Sequence, residues 1–107
     1  MKILFTAKGD SWDSALDPKF GRATGFLVYD SEKDTLEHIS NDQNKNLDHG
    51  AGIQAGQQAA KAGAEVVITG HVGPKAKSTL EAAGINIFTV TEGVTIREAY
   101  EQFLEQK

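Results

Sequence analysis

The 107-residue chain contains no cysteine. That excludes a disulfide frame, a thiolate zinc site, a cysteine nucleophile and all-thiolate iron-sulfur ligation, so any metal must be held by histidine, carboxylate or ligands it brings along. Basic residues are scarce: 11 Lys and Arg face 15 Asp and Glu, for a net charge of -4 and a pI near 5.3. This balance argues against nucleic acid or an anionic membrane surface as a partner, and the largest basic cluster, Lys75 with Lys77, is too small to reverse it. No apolar run approaches the roughly 18 residues of a membrane span. The opening Met1 to Thr6 meets Gly9-Asp10 too early for a signal peptide, so a cytoplasmic protein is expected. With 39% hydrophobic residues, the length predicts one domain over residues 1–107.

What is present alternates between strand and helix signals. Lys2 to Ala7 is a short apolar run that stops at Lys8-Gly9-Asp10, as a buried strand and turn would. Ser11 to Ala23 reads as a loop. Phe26 to Asp30 and Thr35 to Ser40, around the polar Ser31-Glu32-Lys33-Asp34, predict an antiparallel hairpin, and Asn41 to Asp48 a polar connection. From Gly50 the spacing turns helical, with Ile53, Gly56, Ala60 and Gly63 predicted on one face lying close on a sheet. Glu65 to Gly70 follows as a central parallel strand. Pro74 then opens a helix with Ala76, Leu80 and Ala83 on one stripe and Gly84 as its stop, and Ile85 to Val90 is a fifth strand. Thr95-Ile96-Arg97-Glu98 is a capping box, and Ile96, Tyr100, Phe103 and Leu104 are the predicted buried side of a last helix. The pattern predicts an α/β fold: a mixed five-stranded sheet with an antiparallel hairpin, βαβ units and helices on both faces.

Three glycine-bearing strings fall where a strand or loop meets a helix: Phe20-Gly21-Arg22-Ala23, His49-Gly50-Ala51-Gly52 and Gly70-His71-Val72-Gly73-Pro74. Glycine lets backbone approach a ligand, and helix-start N–H groups attract negative charge, so together they predict one anion pocket. His49 is placed either to ligate a metal or donate to the anion, aided by the amides of Ala51 and Gly52, or simply to cap its helix. His71 lies at the carboxyl end of a strand, where open α/β sheets bind ligands, although Gly73 and Pro74 also make sense as a tight turn and helix start. Arg22 has two readings, a grip on an oxyanion or sulfide cluster and a salt bridge to Asp17 or Asp13. Trp12, in a polar loop, has three: covering a ligand, docking a partner, or folding back on the core. His38, on a probable edge strand, stays outside the site. Catalytic signals are thin. No serine occupies a nucleophile elbow, and Asp10, Asp13 and Asp17 share one loop without a distant carboxylate partner, so no enzyme is expected.

The order and spacing of these strings, with the early strand and acidic loop, Phe26-Leu27-Val28-Tyr29-Asp30 and Val66-Val67-Ile68-Thr69-Gly70, resemble the dinitrogenase iron-molybdenum cofactor biosynthesis family over nearly the whole chain. The resemblance implies a ribonuclease-H-like three-layer α/β/α fold. It also implies a non-enzymatic carrier or scaffold for an anionic metal-sulfur cluster, of iron-molybdenum or molybdenum-copper type, in cofactor assembly. Arg22, His49, Gly50, Ala51, Gly52, His71 and Gly73 would then bind the cluster, with His49 and His71 as metal ligands. Cluster donor and acceptor proteins would be the partners of a monomer or weak homodimer. The chain departs from the family in lacking the added modules of larger maturation proteins, and in placing His71 where many relatives have other residues. Two alternatives remain at this level: a regulatory adaptor acting through Trp12, and a small phosphate- or nucleotide-binding protein.

Overall fold

A computed structural model describes residues 1–42 and 50–106. Its elements are β1 (Lys2–Ala7), β2 (Gly25–Asp30), β3 (Thr35–Ser40), α1 (Ala51–Lys61), β4 (Val66–Thr69), α2 (Pro74–Ala82), β5 (Asn86–Thr89) and α3 (Ile96–Glu105). They form one five-stranded sheet in the order β3-β2-β1-β4-β5. The strand β2 runs antiparallel to both of its neighbours, while β1, β4 and β5 run parallel. This is the expected mixed α/β sheet, with the ribonuclease-H-like order.

Beyond exposed Lys2, β1 and β4 are buried throughout and mostly apolar because helices cover both of their faces. Alternation then sorts side chains between two cores. Leu4, Phe26, Val28 and Val67 pack with Ala55, Ala59, Ala76 and Leu80 of α1 and α2. Ile3, Phe5, Leu27, Val66 and Ile68 pack on the opposite face with Ile96 and Ala99 of α3. The edge strands β3 and β5 are largely exposed.

Three expectations need correction. The sheet-facing stripe of α1 is Ala51, Ala55 and Ala59, whereas Ala60 is exposed and Gly63 lies beyond the helix in a left-handed turn with φ 79°. The close approach made by the small residues is to α2: a Cβ on Gly56 would lie 2.8 Å from Thr79 Cγ2. Ala83 of the second stripe is likewise exposed, as the C-cap of α2. On α3, Ile96 and Ala99 are buried and Phe103 partly so, but Leu104 is exposed. The capping box is present, with Thr95 Oγ1 accepting from the Glu98 N–H and Glu98 Oε1 from the Thr95 N–H.

Candidate functional site

The site is assembled around the loop of residues 8–24, which follows β1. Phe20, 1% exposed, anchors this loop in the core beside Phe26. Backbone bonds sew it to the end of β4: the His71 N–H donates to the Pro18 carbonyl at 2.7 Å, and the Phe20 N–H to the His71 carbonyl at 3.2 Å. The carboxylate of Asp17 accepts the N–H groups of Lys19 and Thr24. Buried Asn41, just beyond β3, donates its side-chain amide to the carbonyls of Gly21 at 3.2 Å and Ala23 at 2.9 Å. Every turn of the loop is therefore held by a hydrogen bond from another segment or from its own base.

Missing side chains let three segments converge. A Cβ on Gly21 would sit 2.8 Å from both the N and Cα of Gly52, and one on Gly52 would sit 3.0 Å from Ala76 Cβ. The loop backbone thus lies directly on the first turn of α1, which lies directly on the first turn of α2. Between them opens a cleft of about 390 Å³, walled by Lys19, Arg22, Gly50, Ala51, His71 and Gly73, with Phe20, Gly21 and Gly52 completing it. An adjoining lobe of about 310 Å³ shares Gly21, Gly50, Gly52 and Gly73 and adds Ile53, Pro74 and Lys75.

The chemistry of this cleft suits an anion. Among the described residues no Asp or Glu lines it, and Lys19, Arg22 and His71 supply positive or hydrogen-bond-donating groups. Both helices that start here have glycine N-caps, Gly50 and Gly73, with no side-chain cap and no acidic residue in the first turn. Among the described residues no side chain caps their first N–H groups, which are the groups a helix start offers to an anion. The helix α3, which starts elsewhere, has the full capping box and Glu98.

Gly73 stands apart. Of the eleven glycines, it alone combines an ordinary backbone conformation, φ -69° and ψ 166°, with no described atom within 4 Å of an added Cβ. Neither strain nor packing calls for glycine there. An added Cβ at this position, in the lining of the cleft, would meet open space among the described residues.

Six of the seven expected site residues, Arg22, Gly50, Ala51, Gly52, His71 and Gly73, come together in this cleft. His49 lies outside the described residues. Among the described residues, no three His, Cys, Asp or Glu side chains gather closely enough to hold a metal ion. Asp17 accepts the N–H groups of its own loop, Asp13 pairs with Arg97 at 3.3 Å, and Arg22 also has an interaction partner of its own. Trp12 folds back, with its ring 6.0 Å from Phe5, 4.9 Å from Tyr29 and 5.5 Å from Tyr100 between centroids. Sequence reading missed Lys19 and Asn41. The first had only its adjacency to Phe20-Gly21-Arg22 as a signal, and the second only its place at the end of a strand.

Compared with known proteins, the chain matches the family described as dinitrogenase iron-molybdenum cofactor over residues 1–106. Its fold is similar to that of the apo form of the orange protein from Desulfovibrio gigas, at 47% identity and a TM-score of 0.93, covering 98% of this chain and 88% of that one. A NifB-like protein of the DUF35 family from Thermotoga, solved by NMR, is 31% identical with a TM-score of 0.81, covering 97% and 87% of the two chains. An uncharacterized protein of Methanocaldococcus jannaschii is 29% identical over 97 residues, which are 89% of this chain and 81% of the relative.

Proposed function

The chain belongs to the dinitrogenase iron-molybdenum cofactor family, and on that premise we propose that it is a non-enzymatic carrier or scaffold whose cargo is an anionic metal-sulfur cluster. The observation that carries this reading is Gly73, a residue that packing and backbone geometry leave unexplained, in the lining of a cleft whose described walls carry no carboxylate. Around it the amides of two helix starts, which no described side chain caps, offer donors to sulfide or oxide ligands. Arg22 and Lys19 balance the cargo's charge, and His71 either donates a hydrogen bond or ligates a metal through its neutral imidazole. His49, next to Gly50 in the sequence, is the proposed second ligand.

A cluster that brings its own sulfides needs no protein thiolate, which reconciles such cargo with a chain that has no cysteine. Holding it through hydrogen bonds, charge and one or two imidazoles makes retention reversible, as delivery to an acceptor requires. Cargo of the iron-molybdenum or molybdenum-copper class fits the family and the orange protein relative, itself solved in an apo form. The partners are then the proteins that supply and receive the cluster, in the cytoplasm.

The test is anaerobic loading of the purified protein with thiomolybdate, with and without iron or copper, followed by desalting and measurement of metal per chain and visible absorption. Stoichiometric metal with sulfide-to-metal bands, reduced in His49→Ala and Arg22→Ala, is the expected result. A folded protein that retains no metal under any of these conditions overturns the proposal.

A further inference from the structure

A second cavity lies on the far side of His71, at the carboxyl ends of β4 and β5, and we propose that it binds a tetrahedral oxyanion, free or carried as a phosphomonoester. It measures about 420 Å³ and is lined by Gly70, His71, Val72, Lys77, Ile87 and Thr89. Among the described residues, His71 is the only one it shares with the cleft described above. The proposal therefore stands whether or not the cleft carries a cluster.

Three elements supply the polar groups. Both backbone hydrogen-bonding groups of His71 are committed, to Pro18 and Phe20, so the residue is fixed in place while its exposed imidazole separates the two cavities. Lys77 is anchored through its own N–H to the Gly73 carbonyl at 2.9 Å, and its ammonium has no ion-pair partner among the described residues. Ile87 packs toward the α1/α2 core, and alternation along β5 places exposed Thr89 on that same face. The Thr89 hydroxyl has no hydrogen bond among the described residues.

An ammonium, an imidazole and a hydroxyl from different elements form a donor set around one space, with no carboxylate among the described lining residues to attract a cation or repel an anion. The only aliphatic side chains in the lining are Val72 and Ile87, too little for a wholly apolar ligand. The volume exceeds that of a bare oxyanion and falls in the range of small-molecule sites, which leaves room for the alcohol portion of an ester.

The test is a titration of ¹⁵N-labelled protein with inorganic phosphate and, separately, glycerol phosphate, each at constant ionic strength with chloride as the control. Saturable shifts at the amides of Gly70, His71 and Thr89 are expected. Binding should weaken about tenfold in Lys77→Ala, which loses a charged donor, and measurably in Thr89→Val, with the spectra showing that both variants stay folded. Arg22→Ala should leave it unchanged. Tighter binding of the ester assigns the site to phosphomonoesters, and equal binding assigns it to the free oxyanion. Shifts that never saturate, shifts confined to Gly50, Ala51 and Gly52, or wild-type binding in both Lys77→Ala and Thr89→Val would each overturn the proposal.

Discussion

Gly21 and Gly73 show how two identical residues in similar strings can have opposite reasons to be glycine. At Gly21 an added Cβ meets backbone of α1, which cannot swing aside, so Gly21→Ala must push the loop off the helix. At Gly73 the backbone conformation accepts any side chain, and the space beyond it is open. Gly73→Asp therefore places a carboxylate at an uncapped helix start. The expected outcome is a stability gain of about 0.3–1 kcal/mol in chemical unfolding, with reduced retention of thiomolybdate-derived cargo. The same N–H groups would be taken internally, and the new charge would repel the anion. A loss of stability in this variant would mean that Gly73 serves packing. Both glycines were visible in the sequence as members of suggestive strings. Which was steric and which was open depended on atoms some 30 to 50 positions away, supplied at Gly21 by Gly52.

At the level of elements, the helices divide by their caps and the hairpin carries the clearest pH signature. Burial pushes the Asp30 carboxyl up, but N–H bonds from Glu32 and Lys33, aided by the charges of Lys33 and the N-terminus, hold it below its ordinary value of 3.8. A lowered folded-state pKa contributes stability that is present above the unfolded value and is lost as pH falls through the folded one. Asp30→Asn keeps an acceptor for the turn and removes the titration. Its urea midpoint should depend less on pH than the wild-type midpoint below about pH 4, with the two curves closest to parallel near neutrality. Parallel curves throughout the acid range would remove Asp30 from the acid response. The element boundaries were legible because glycine, proline and the Thr95 to Glu98 box punctuate them. The contact faces were less so. Alanine and glycine give α1 little hydrophobic contrast, so its phase was ambiguous, and Leu104 lies about 100° around α3 from Phe103, off the contacting stripe.

Across the whole molecule, charge is segregated. Lys19, Arg22, Lys75 and Lys77 line the three adjoining cavities at the carboxyl end of the sheet, and among the described residues no Asp or Glu does. An acidic protein thus presents a positive face where the cleft opens, which would draw a small anion in while the remainder repels it. Loading of thiomolybdate followed by stopped-flow absorption should slow severalfold as salt rises from about 0.05 to 0.5 M, because the Debye length shrinks to a few ångströms. A rate indifferent to salt would leave the charge pattern without a role in capture. The aromatic group of Trp12, Tyr29 and Tyr100 lies against Phe5 in the opposite core, which accounts for Trp12 without a ligand or partner.

Local chemistry was enough to determine the elements and their class: alternating strand and helix periods, breakers between them, a complete cap on α3, and an anion-seeking character in three glycine strings. The absence of cysteine likewise set what kind of metal cargo is chemically reasonable. Only the tertiary structure decided that the strings converge, because convergence rests on Gly21, Gly52 and Ala76 meeting across three segments and on Asn41 holding the loop from β3. It also decided that Lys19 joins the cleft while Lys77 and Thr89 face a separate cavity. Such assignments depend on which side of a strand end or helix turn a residue occupies relative to distant chain, and neighbouring residues do not encode that relation.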